Sequence, residues 1–139
     1  MKSYRKELSY KTKKRSEILC ITEDVRSCVK ESGISEGLLF AGSEATTASV
    51  FVNTFEPGLC HDFEMVLEKI VPEKPYDMYW HNGVEEENAD AHIKREFVGR
   101  GATCAITAGE LDLAKAEDVL FFDLDGGKPK KVLIKIIGE

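Results

Sequence analysis

No stretch of this chain approaches the ~20 consecutive apolar residues that a membrane-spanning helix needs, so a bilayer is not an expected partner. The opening Met1-Lys2-Ser3-Tyr4-Arg5-Lys6 lacks the apolar core of a secretory leader, and a cytoplasmic location is expected. The four cysteines, Cys20, Cys28, Cys60 and Cys104, form no CxxC and stand in apolar contexts, which points to reduced core thiols rather than a disulfide framework or a thiolate metal site. GxxxxGK[ST] and GxGxxG are both missing, which argues against a P-loop enzyme or a classical dinucleotide binder. A net charge of −6 argues against general binding of nucleic acid, which relies on neutralising phosphates. One basic segment runs against that balance: Lys2, Arg5, Lys6, Lys11, Lys13, Lys14 and Arg15 crowd the first fifteen residues. It reads as a solvated hairpin whose outward charges protect an edge strand.

What is present suits an ordinary globular core. At 139 residues with 42% hydrophobic and 9% aromatic content, the chain is expected to form one domain over residues 1–139 and to bury about two thirds of its unfolded surface. Tyr4, Leu8 and Tyr10 alternate with polar residues as a strand, Lys11 to Arg15 turn the chain, and Glu17 to Ile21 read as a second strand. Thr22 is positioned to cap a helix carrying Val25, Cys28 and Val29, with Gly33 as its stop. Leu38 to Ala41 and Val50 to Val52 are short enough for buried strands. Cys60, Phe63, Leu67 and Ile70 recur at helical spacing up to Pro72, with His61-Asp62 at the opening of that helix. Thr103 to Ile106, Val119 to Leu124 and Val132 to Ile137 are strand-like, and Asp125-Gly126-Gly127 reads as a hairpin turn between the last two. About seven strands with three interspersed helices give an α+β fold on a mainly antiparallel sheet or sandwich.

The densest concentration of chemistry is Tyr79-Trp80-His81-Asn82 followed by Asn88-Ala89-Asp90-Ala91-His92-Ile93-Lys94. Two of the three histidines and the sole tryptophan fall within it. Pro72 to Glu87 is a long irregular segment, and such segments in compact domains are usually functional. Asn88 reads as the N-cap of a helix whose Ile93 and Phe97 share an apolar face and whose Gly99 ends it in the left-handed conformation. His92 then sits at the helix flank, able to meet what the His81 loop presents near a positive helix end. That arrangement suits an anion or a metal with an anionic ligand. The spacing matches neither HExxH nor a Cys/His metal motif. Gly42-Ser43-Glu44-Ala45-Thr46-Thr47-Ala48-Ser49 concentrates hydroxyls and one carboxylate between two strands and reads either as phosphate donors or as a Thr-rich connection. Glu110, Asp112, Glu117, Asp118, Asp123 and Asp125 read as solvated strand edges.

Taken whole, the chain resembles the YjbQ-like family, often labelled secondary thiamine-phosphate synthases. The likeness is carried by Asn88-Ala89-Asp90-Ala91-His92-Ile93 against the family's Asn-Ala-x-Ala-His-Ile, and by Tyr76, Tyr79 and His81-Asn82 in the tyrosine-rich loop. Gly99, Gly109-Glu110-Leu111-Asp112-Leu113, Asp125-Gly126 and the closing Gly138-Glu139 extend it nearly end to end. The resemblance implies a homotrimer with polar pockets and a histidine-centred site at His81 and His92. That site would hold a divalent metal (zinc or magnesium) or a phosphate-like anion, with Thr46, Thr47, Asn53, Asn82, Asn88 and Lys128 as ligand-binding residues. The family's His-Thr-Thr-Ala is Ala45-Thr46-Thr47-Ala48 here, its Asn-Glu is Asn53-Thr54, its Trp-Gln is Ala116-Glu117, and its turn arginine is Lys128. Glu44 is the nearby carboxylate, offset by one position toward the opposite face. Two readings follow. One is a weak transferase of the thiamine-phosphate-synthase type acting on a small phosphorylated molecule. The other is a non-catalytic trimeric ligand-binding or regulatory protein with a degenerate site.

Overall fold

The computed structural model describes residues 1–83 and 86–139. The elements are β1 (Lys2–Tyr10), β2 (Glu17–Cys20), α1 (Thr22–Ser32), β3 (Gly37–Ser43), β4 (Ala48–Asn53), α2 (Pro57–Ile70), two 3-10 turns (Tyr76–Met78 and Trp80–Gly83), α3 (Ala89–Val98), β5 (Gly101–Thr107), β6 (Glu110–Asp112), β7 (Asp118–Asp123) and β8 (Lys130–Gly138). They build an α+β domain on two antiparallel sheets, ordered β1-β8-β3-β5-β6 and β2-β7-β4.

Patterning decides which strand goes where. In β8, Val132, Ile134 and Ile136 are buried while Lys131 and Lys135 are exposed, the period of two expected of a strand with one covered face. β7 is apolar on both faces, so it takes the centre of the smaller sheet. Phe121 joins the core between the sheets with Val25, Leu39, Val50 and Ile134. Phe122 points the other way, into a second cluster with Ile18, Leu67, Ala91 and Leu124, where α2 and α3 cover the small sheet. Each of these fully buried rings contributes roughly 1.5–3 kcal/mol.

Two expected hairpins do not form. β1 and β2 belong to different sheets, and so do β7 and β8. β7 needs cover on both faces, whereas alternating β8 pairs with β1 and β3, so the Asp125-Gly126-Gly127 turn carries the chain between sheets. Gly126 is required there because a Cβ at this position would collide with the backbone carbonyl of Lys14 and the Thr12 hydroxyl. A hairpin does join β5 to the short β6, with Ala108 (φ 52°) and Gly109 (φ 80°) at its centre.

The helix ends also differ from expectation. Thr22 is the first residue of α1 and does not cap it; its hydroxyl donates to Asp118 (2.6 Å) and accepts the Val119 N–H (2.9 Å), tying α1 to β7. α2 begins with Pro57 and is capped by the Glu56 carboxylate, which accepts the N–H groups of Gly58 and Leu59, so His61-Asp62 lie inside the helix. Gly33 closes α1 at φ 68°, ψ 9° as expected, but Gly99 leaves α3 at φ 101°, ψ 166°, outside the left-handed helical region. The expected apolar face of α3 is turned outward: Ile93 is 39% exposed and Phe97 60%, while Ala89, Asp90, Ala91 and Lys94 are buried. Charge pairing explains the inversion. Asp90 takes two hydrogen bonds from Arg15 (2.8 and 3.1 Å) and one from Lys94 (2.7 Å), and Lys94 also reaches Glu68 (2.8 Å). Burial pushes the Asp90 carboxyl up, and the bonds from Arg15 and Lys94 outweigh it, leaving the group below the usual carboxylate value.

Candidate functional site

The N-terminus of α3 organises the site. Asn88 occupies the N-cap position but its side chain makes no capping bond. Its Oδ1 lies 2.8 Å from His81 Nε2, and its Nδ2 donates to Glu86 Oε2 and Asp125 Oδ2, both at 2.9 Å. Asn82 caps in its place, accepting the Ala89 N–H at 3.0 Å while donating to the Tyr76 carbonyl at 2.9 Å. The loop is thus hooked to α3 by two consecutive residues, and that holds His81 over the helix start.

His92, one turn into α3, meets it there. The two rings stand edge to face, with centroids 4.9 Å apart and planes at 73°. His81 is exposed and His92 half-buried. Burial, then the neighbouring His81, push the His92 imidazole below its ordinary value against the opposing pull of Asp125 and Glu86. His92 is therefore biased toward the neutral ring.

Asp125, which holds Asn88, is tied in turn to a buried ionic group. Lys130 bonds the Thr47 hydroxyl (2.9 Å), the Asp123 carboxylate and the Asp125 carbonyl (2.8 Å), and Thr12 donates to the other oxygen of Asp123 (2.9 Å). Asp123, expected at a solvated edge, is fully buried because Lys130 and Thr12 satisfy it. Thr47 is buried and also accepts the Leu124 N–H through its carbonyl (3.0 Å), so it links β4 to the Asp125 turn.

Lys128 is exposed and paired with Glu86 at 3.2 Å, at the rim of the site. Thr46 is exposed beside Thr47. Asn53 lies at the other end of β4, paired in register with Asp118, roughly 20 Å along the strand from Thr47. It does not join the histidines within this chain. Glu44 meets Glu7 on β1, whose hydrogen bond raises its carboxyl, so it does not face the pair. Ala45 packs half-buried against the main core, its N–H and carbonyl both tied to the Ser43 hydroxyl (3.1 and 2.8 Å).

Asp125, Glu86 and Lys130 complete the site without having been singled out by their pattern. The only hint in the chain was the Asp-Gly turn, whose geometry places a carboxylate where a neighbouring helix can use it. Among the described residues, no three His, Cys, Asp or Glu side chains converge on a point that would hold a metal ion. The donors present do not fit a divalent site within one chain. What the group offers is paired imidazoles, one exposed and one biased neutral, framed by Lys128 and Lys130 at a positive helix end.

The family model described as UPF0047 protein YjbQ-like matches residues 6–139. A UPF0047 protein of Methanothermobacter thermautotrophicus is 32% identical over 139 residues, all of this chain and 95% of that protein. The UPF0047 protein YugU of Bacillus subtilis is 28% identical over 137 residues, 96% of this chain and 98% of that one. Among solved structures, a YjbQ/UPF0047 protein of Clostridium acetobutylicum superposes with a TM-score of 0.86 at 32% identity, covering 94% of this chain and 98% of its own. A YbjQ-like protein of unknown function from Sulfolobus solfataricus shares the fold at a TM-score of 0.92 and 24% identity, covering 99% of both chains. With the family's helix start and histidine loop meeting at one place and the match running almost end to end, this chain belongs to the UPF0047 YjbQ-like family.

Proposed function

We propose that the chain binds a small phosphorylated molecule at His81 and His92 and acts on it as a weak transferase of the thiamine-phosphate-synthase type. The reading is carried by one observation, the edge-to-face approach of the two imidazoles at 4.9 Å over the start of α3. A phosphate there would meet the positive helix end and the Lys128 ammonium at the rim. A homotrimer in the cytoplasm is the assembly this reading assumes. The test is formation of thiamine phosphate by the purified protein beside its His81→Ala and His92→Ala variants. Loss of product in both variants supports the proposal, and product formation indifferent to both overturns it.

A second reading, a non-catalytic ligand-binding protein, is favoured by Ala45, which offers no donor atom where the family's motif has an imidazole, and by Lys128 being neutralised by Glu86. Ala45→His separates the two. If the missing imidazole is what the site lacks, the variant gains divalent metal, measured per chain by elemental analysis, where wild type has little. A wild-type protein already carrying one metal per chain would contradict the degenerate reading.

A further inference from the structure

We infer that Asn88, held by Asp125 and Glu86, is a positioning residue that locks His81 in the tautomer with its proton on Nε2 and leaves Nδ1 as the ring's lone-pair atom. The inference comes from which groups can donate. Carboxylates accept hydrogen bonds and an amide NH2 group has two hydrogens to give. Glu86 Oε2 and Asp125 Oδ2 both lie 2.9 Å from the same Asn88 side-chain atom, so that atom is the amide nitrogen and both its hydrogens are used. The other Asn88 atom is then the carbonyl oxygen, which only accepts. The His81 nitrogen 2.8 Å from it must supply the hydrogen. Turning the amide over would set an acceptor oxygen against two carboxylates with no hydrogen between them, and Asn88 is buried.

The same logic explains an oddity of α3. An N-cap asparagine normally spends its side-chain oxygen on its own helix. Here that oxygen is committed to His81, and Asn82 from the loop caps Ala89 instead. Asp125 in turn is fixed by the bond from Lys130 to its own carbonyl. A chain of contacts thus runs from the buried ion group through Asp125 and Asn88 to one nitrogen of an exposed imidazole. An isolated imidazole exchanges its proton between both nitrogens; one hydrogen bond of this kind biases the pair roughly five- to tenfold. Nδ1 is then the atom able to take a proton from a bound hydroxyl or water, or to accept a ligand's N–H. That consequence rests on the histidine-centred function proposed above, but the tautomer itself does not.

The test is the 15N spectrum of the imidazole rings in the full-length protein without ligand, at a pH above histidine titration. His81 is expected to show an unprotonated Nδ1 and a protonated Nε2 in wild type. Asn88→Leu should shift the ring to a mixture, with the Nδ1–H form rising several-fold. Wild-type protein with the lone pair on Nε2, or with mixed tautomers, overturns the inference even if the variant fails to fold. An unchanged spectrum in a folded Asn88→Leu variant overturns it as well. Because no ligand or turnover is involved, this result stands apart from success or failure of phosphate binding.

Discussion

Asp90 and Lys94 meet at 2.7 Å across one turn of α3 with both side chains turned inward, the carboxylate 1% exposed and the ammonium 7%. Their burial turns Ile93 and Phe97 outward and sets the rotation of the helix, and with it the direction in which His92 points. Arg15, reaching Asp90 from the β1–β2 connection at 2.8 Å, anchors the same helix to the smaller sheet.

Removing Asp90 would leave the Arg15 and Lys94 cations underpaired in the interior. Asp90→Ala is expected to cost about 3–5 kcal/mol, read as a lowered urea midpoint. The charge also carries a pH signature. The folded carboxyl lies below its unfolded value of about 3.8, so its stabilisation is complete above that value and is lost as pH falls toward the folded one. Acid unfolding of wild type should be steeper below pH ~4 than that of the variant. Equal acid sensitivity would contradict the pairing.

His92 has the opposite chemistry and the same sign. Its folded value lies below the unfolded value of 6.5, so the unfolded chain binds the proton more readily. Stability should therefore fall as pH drops through about 6.5 and level off below the folded value. Denaturation midpoints of wild type and His92→Gln across that range provide the check: the wild type should lose more than the variant.

Gly126 presses its backbone against Lys14 and Thr12, and Asp125 precedes it. Gly126→Ala is expected to destabilise by about 1–3 kcal/mol and to shift the His81 ring resonances, because the Asp125–Asn88 contact moves with the turn. A stability loss with no change at His81 would separate the turn from the site.

The outward face of α3 continues into a groove of about 520 Å³ lined by Phe51, Leu59, Phe63, Val66 and Phe97. Apolar surface of this kind is normally covered, and the proposed homotrimer provides cover. Light scattering should give three times the 15.5 kDa chain mass, and Phe97→Asp should lower it. A wild-type monomer at all concentrations would overturn the assembly.

The fold class was legible because β8 alternates cleanly and α1 carries its own stop at Gly33. The sheet assignment was not, since local pattern distinguishes a hairpin from a sheet-to-sheet crossing only when it is known that both faces of β7 are covered. His81 and His92 stood out as residue types, and the family motif placed them together. Asn88 was legible as a cap position, but its partners were not, because Asp125 lies 37 residues away and reads locally as turn chemistry. The rotation of α3 was hidden for the same reason: Ile93 and Phe97 look like a core face until Arg15 is seen to neutralise Asp90.

His81 and His92 are proposed to form one site for a phosphorylated ligand. The most direct measurement is a titration of the full chain with inorganic phosphate and with thiamine phosphate, followed through the ring resonances of both histidines. The two sets of resonances should move together along one saturation curve, and the His92 response should vanish in His81→Ala. Rings that do not respond, or that respond with different midpoints, would contradict a shared site.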